Sequence, residues 1–202
     1  MKPFRSFFVE QVKSDKTVVF AYGRFNPPTT GHEKLINKVI ETAHKHKADY
    51  FIIPSHSTKP ANKNPLALNQ KLSVLKYVVD SAHLKSFGTT FIDVLKRFQL
   101  MGYTNVIQVA GSDRQAEFLG LVNKYNGKPD PKTGNMDFNF RTFEVISSGE
   151  RDPDSDNLEG MSASKLRALA IKGDFKNFEK GMSVKVPHKV KLQIFDIIRK
   201  TS

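Results

Sequence analysis

The chain has 202 residues, 39% of them hydrophobic and 26% charged, which suits one packed domain of ordinary size and excludes wholesale disorder. Its 32 Lys and Arg against 20 Asp and Glu give +12, a surplus that points to an anionic partner: phosphate ligands, nucleic acid or an acidic membrane surface. There is no cysteine, so disulfides, thiolate metal sites and a cysteine nucleophile are excluded; no apolar run approaches the ~18 residues that cross a bilayer. The basic start, Met1 to Arg5, leads into no signal-peptide core, and the chain reads as a soluble cytoplasmic protein with one domain over residues 1–202.

Thr17 to Tyr22 is a short apolar, β-branched run that stops at Gly23, the pattern of a strand buried on both faces. A loop of turn formers, Gly23 to His32, follows. Leu35, Ile36, Val39, Ile40 and Ala43 then recur at helical spacing. The unit repeats: Ala48 to Pro54 predicts a second strand, Ser55 to Pro65 a polar loop, and Leu68, Leu72, Leu75, Val78 and Val79 a second helix. Phe91 to Leu100 reads as a third helix, and Thr104 to Ala110 as a third strand that Gly111 breaks. Ala116, Leu119 and Val122 mark a further helix.

The polar stretch Gly127 to Asn139 reads as a surface excursion, and Thr142 to Ser147 as a last strand. From Ser162 onward the pattern is helical only. The basic segment Lys185 to Lys200, with its interleaved apolar positions, predicts an amphipathic helix packing on the sheet. Strands alternating with helices imply an α/β, Rossmann-like fold: a mostly parallel sheet, helices on both faces, and a helical C-terminal tail.

In such sheets ligands bind outside the carboxyl ends of the strands, so chemistry is expected in the loops that leave them. In the first loop Gly23 lets a ligand approach the backbone, Pro27 and Pro28 stiffen the turn, and Gly31 and His32 open a helix. The free N–H groups and dipole of a helix start favour phosphate. An imidazole there can donate to a phosphoryl oxygen as its charge grows; on its own, a Gly-His pair also reads as a plain helix cap. Ser162-Ala-Ser164-Lys-Leu-Arg167 likewise reads alone as a capped helix start.

Taken together the two stretches say more. Gly23-Arg24-Phe25-Asn26-Pro27-Pro28-Thr29-Thr30-Gly31-His32 resembles the Thr/His-x-Gly-His signature of the nucleotidylyltransferase superfamily. Met161-Ser162-Ala163-Ser164-Lys165-Leu166-Arg167 resembles its second signature, Ile-Ser-x-Thr-x-x-Arg, with Met for Ile and Ser for Thr. The chain is similar to the cytidylyltransferase-like and nicotinamide mononucleotide adenylyltransferase-like enzymes over most of its length.

The resemblance implies transfer of a nucleoside monophosphate from a nucleoside triphosphate to a phosphorylated small molecule, with release of pyrophosphate. By it, His32 and Thr29 contact the triphosphate and stabilise the α-phosphoryl transition state, and Arg167 neutralises the departing pyrophosphate. Gly23, Arg24, Phe25 and Gly31 line the nucleotide, Ser162 and Ser164 hold the β- and γ-phosphates, and Gly111 and Asp113 face ribose or acceptor. Magnesium comes with the nucleotide; no dedicated metal cage is expected in the chain.

Lys59 and Lys63 in the second loop are weaker candidates for an acceptor phosphate, since loop lysines are commonly just solvated. Arg114 divides between phosphate and solvent. Glu150 to Asp156 reads as an exposed loop, with a flap carrying Arg151 as the other reading. The Phe25-Asn26-Pro27-x-Thr29 wording resembles enzymes that make NAD, so AMP transfer from ATP to nicotinamide mononucleotide is the first reading. Cytidylyltransferases of alcohol or sugar phosphates, which show Asp at the place of Asn26 and His at that of Thr29, are the second. A basic nucleic-acid-binding module is the reading of another class, permitted by the charge but without a helix-turn-helix, zinc or RNA-binding signature. The resemblance is also compatible with a homo-oligomer.

Overall fold

The computed structural model describes residues 15–130, 133–149 and 161–201. The flap reading of Glu150 to Asp156, with Arg151, falls outside them. Four strands, β1 (Thr17–Gly23), β2 (Asp49–Pro54), β3 (Asn105–Ala110) and β4 (Thr142–Ser147), form one parallel sheet in the order β2-β1-β3-β4. Beyond β2, Leu84 makes a single parallel bridge to Ile52, and the Lys85 N–H donates to the Ile52 carbonyl at 3.1 Å.

Alternate residues of the central strands point to opposite faces, and both faces are buried, as the continuous apolar runs require. Val18 and Phe20 of β1 join Val106 and Ala110 of β3 on one face, under α3 (Phe91–Leu100) and α4 (Gln115–Tyr125). Val19, Ala21, Ile107 and Val109 face the other way, under α1 (Thr30–His46) and the end of α2 (Leu68–Leu75).

A third core gathers Leu66 and Val74 with residues of α5 (Ala163–Lys172), α6 (Phe175–Lys180) and α7 (His188–Thr201). Here α7 departs from expectation, since it packs on α5 and α6 and not on the sheet. The reason is simple: α1, α3 and α4 already occupy both sheet faces. The excursion at Gly127 to Asn139 lies at the surface through most of its described residues, but Phe138 departs from that reading, being 1% exposed. It stacks on Phe140 and joins the first core, and Asp137 pairs with Lys96 at 2.9 Å. One aromatic in a polar run has no period to betray its burial.

Candidate active site

A cavity of about 400 Å³ opens at the carboxyl ends of β1 and β3. The first loop, the start of α1, the 112–114 turn after β3, Lys63 and the start of α5 all contribute to its lining. Its centre is built by a helix cap. Thr29 is the N-cap of α1, and its Oγ1 and carbonyl accept the His32 N–H at 3.3 and 3.0 Å.

In return, the Thr29 N–H donates to His32 Nδ1 at 3.1 Å. A nitrogen that accepts an N–H carries no proton, so the neutral ring has its proton on Nε2. Nδ1 therefore caps the helix on a residue that lines the cavity, and the neutral ring carries its proton on Nε2. The ring lies against Phe25 with centroids 4.8 Å apart. Phe25 itself is fully buried and holds φ at +46°, a left-handed conformation that costs a side chain roughly 1–3 kcal/mol. A Cβ on Gly23 would sit 3.3 Å from the Phe25 ring, a tight contact that glycine avoids.

Two helix starts meet here. A Cβ built on Gly31 would lie 3.6 Å from the Met161 carbonyl, just before α5. At α1 the Thr30 N–H donates to the Gly181 carbonyl at 3.0 Å, and those of His32 and Glu33 go to Thr29; the Gly31 N–H has no partner among the described residues. At α5 the Ser162 Oγ caps the Lys165 N–H at 3.1 Å, which leaves the N–H groups of Ala163 and Ser164 without partners among them. Three amides on two converging helix starts give the site positive character.

Side chains reinforce it. Arg24, Lys34, Lys63, Arg114 and Arg167 line the cavity, against Asp113 as its one carboxylate among the described residues. Arg167 donates to the Asn26 carbonyl at 2.7 Å and to Ser164 Oγ at 3.0 Å. Burial, with the nearby Arg24 charge, holds its pKa below the usual arginine value. Arg114 pairs with Glu117 at 2.7 Å and lies over the Phe118 ring at 5.1 Å. No carboxylate among the described residues pairs with Arg24, Lys34, Lys63 or Arg167.

The sequence candidates therefore sort cleanly. Gly23, Arg24, Phe25, Thr29, Gly31, His32, Gly111, Asp113, Ser162, Ser164 and Arg167 all line this one cavity, and so does Lys63. Lys59 does not; it is exposed, and its carbonyl accepts from Asn64 Nδ2 at 2.9 Å. Gly111 has φ −63°, so it supplies room and not a special backbone angle.

Two lysines were not foreseen. Lys34 lines the cavity from the first turn of α1. Lys71 is wholly buried and donates to the carbonyls of Ser55 and Ser57 at 2.8 and 3.4 Å. Its burial, with the Arg24 charge, lowers its pKa to about 8. Lys71 stands three residues after Leu68 and four before Leu75, so the apolar stripe of α2 already held the signal.

The family model described as cytidylyltransferase-like matches residues 20–168. The chain belongs to the cytidylyltransferase-like family. That match runs from β1 through the first turn of α5, and so spans both helix starts. Membership supports nucleotidylyltransferase chemistry in general. Comparison with curated proteins gave no significant match. No described helix is long and apolar enough to cross a membrane.

Proposed function

We propose that this chain transfers AMP from ATP to a phosphorylated small molecule, nicotinamide mononucleotide first among them, and releases pyrophosphate. What supports the reading is the meeting in one cavity of three helix-start amides without partners among the described residues, the His32 ring, and Arg24 and Arg167, which no carboxylate among those residues pairs. An oxygen of the acceptor's phosphate attacks the α-phosphorus and forms the new P–O bond. The bond from that phosphorus to the bridging oxygen breaks, and the electron pair leaves with pyrophosphate. His32 donates to a non-bridging α-phosphoryl oxygen as its charge grows. Arg167 and the α5 amides hold the leaving group. Positioning and electrostatics supply nearly all such catalysis.

Asp113, the one carboxylate of the lining among the described residues, is an oxygen ligand of the kind a magnesium ion that arrives on the nucleotide and keeps several waters would take. Bound there, the ion would neutralise charge on the triphosphate. For the acceptor, Tyr22 and Phe118 form an aromatic wall, both packed on Phe91 with centroids 5.7 and 4.7 Å away, and Arg114 stands beside them. A flat ring next to a phosphate suits that wall better than an alcohol phosphate does.

The test is pyrophosphate release with magnesium, crossing ATP, CTP, GTP and UTP with nicotinamide mononucleotide and a panel of phosphorylated alcohols and sugars. Release with ATP and the mononucleotide supports the reading. Release with CTP and an alcohol phosphate replaces it with the cytidylyl alternative. Salt-dependent binding of DNA or RNA with no turnover on any pair moves the chain to the nucleic-acid class.

A further inference from the structure

Asn26 sits in the first signature, yet its side chain takes no part in the chemistry above. It is 2% exposed, and both ends of its amide are engaged. Nδ2 donates to the Leu66 carbonyl at 3.1 Å, and Oδ1 accepts the Leu66 N–H at 3.0 Å. The side chain thus pairs with the backbone of one residue, 40 positions on, as a neighbouring strand would. A primary amide carries donor and acceptor side by side on separate atoms, as pairing with both polar groups of one residue's backbone requires. The Asn26 carbonyl meanwhile accepts from Arg167 Nη1 at 2.7 Å.

Leu66 closes the second loop and is itself fixed, being fully buried in the third core with Val74, Leu166 and Phe178. Within that loop Asn64 Nδ2 donates to the carbonyls of Lys59 and Pro60 at 2.9 and 3.1 Å. Lys71 holds the other end through Ser55 and Ser57. The loop has little freedom left, and of its two lysines it presents Lys63 to the cavity.

We propose that Asn26 is a positioning residue that ties the second loop to the first, so that Lys63 and Arg167 are set against the same bound phosphate groups. This rests on the nucleotide reading of the cavity. It makes the amide at position 26 a requirement of the loop's backbone and detaches it from the choice of nucleotide base. A carboxylate of the same shape would still accept the Leu66 N–H but would leave the buried Leu66 carbonyl without a donor.

Two readouts test this, and neither needs turnover. The first is hydrogen exchange of the unliganded protein across residues 55–66 in Asn26→Asp and in the milder Asn26→Ser. Exchange there should rise at least about tenfold while peptides from β1 and β3 keep their wild-type rates. The second is calorimetric binding of inorganic pyrophosphate. Lys63→Ala, at an exposed position, should weaken binding about fivefold in the wild type and leave it unchanged in the Asn26→Asp background, because the lysine is then already displaced.

Unchanged exchange in both Asn26 variants overturns the proposal, and so does an equal Lys63→Ala effect in both backgrounds. If neither Asn26 variant folds, Lys63→Ala alone decides: undiminished pyrophosphate binding refutes the placement of that lysine. Pyrophosphate binding with the expected coupling, but no nucleotidyl transfer on any substrate pair, would remove the enzymatic reading and leave this one standing.

Discussion

Lys71 gives the sharpest physical test of how the loops are held. Its ammonium is wholly buried on two carbonyls, and its pKa falls from 10.5 in the free side chain to about 8. Because folding lowers the pKa, the unfolded chain keeps a proton between those two values that the native protein has released. Stability attributable to this group must therefore rise with pH across that window, and below it the native state bears the strain of a buried charge. With one pKa unit equal to about 1.4 kcal/mol, the gain relative to pH 7 is about 1 kcal/mol at pH 9 and between about 2 and 3 kcal/mol at pH 10.

The perturbation is Lys71→Met, which keeps the length and apolar stem of the side chain and removes the proton. Urea unfolding of both proteins at pH 7, 8, 9 and 10 gives the stability difference, wild type minus variant. That difference should grow by the amounts above, which at a slope of about 2 kcal/mol per molar urea is a relative shift of about 1 M in midpoint by pH 10. Tyr22, Tyr50 and Tyr103 have raised pKa values, mainly through burial, and so lower stability as pH passes 10. Both proteins share those groups, and their effect cancels in the difference. A difference that stays flat from pH 7 to 10 refutes a buried ammonium with a lowered pKa.

His32→Ala should lower turnover at least ~100-fold in a pyrophosphate-release assay while the circular dichroism spectrum is unchanged, as for loss of one transition-state donor; near-normal turnover would remove the residue from the chemistry. Gly31→Ala adds a Cβ in ordinary contact, 3.5 Å from Thr29 Oγ1 and 3.6 Å from the Met161 carbonyl. It should hold or raise the melting temperature, since alanine is the better helix former by up to about 1 kcal/mol, yet weaken ATP binding about tenfold by narrowing the gap between the two helix starts. Gly181→Ala should instead lower stability, because its Cβ would lie 2.6 Å from Met161 Cγ and 2.7 Å from Leu166 Cδ2. A loss of about 1–3 kcal/mol in denaturant unfolding is expected for such overpacking.

Much of this was legible in the sequence because the central strands are continuous apolar runs, and their length and turn-former boundaries mark them without reference to neighbours. β2, β3 and β4 appear within a residue or so of where the pattern puts them, and Phe91 to Leu100 forms α3 as predicted. The first loop was legible because a glycine, two prolines and a Thr-x-Gly-His string leave few conformations open. What stayed hidden depends on partners far away in the chain. Lys71 lies on the apolar stripe of α2, but the two carbonyls that receive its ammonium come only with the folded second loop. The packing of α7 follows from which faces other helices have already taken, and no local pattern records that. The role of Asn26 requires Leu66, and nothing in either local sequence announces the pairing.

The C-terminal helices are best understood through the same long-range contacts. α5 brings Ser162, Ser164 and Arg167 to the cavity only if its start is held against the start of α1, some 130 residues earlier. Three contacts do this: the Thr30 N–H on the Gly181 carbonyl, Arg167 on the Asn26 carbonyl, and Gly181 closed onto Met161 and Leu166 with no room for a side chain. Each belongs to the third core or touches it. That core is therefore what juxtaposes two helix dipoles of the same sign, an arrangement that is unfavourable in an empty site and becomes favourable with a polyanion between them. Arg24, which no carboxylate among the described residues pairs, opposes the charges of both Lys71 and Arg167 and adds to the same imbalance. The imbalance among these groups is what supports the proposed multiply charged phosphate ligand.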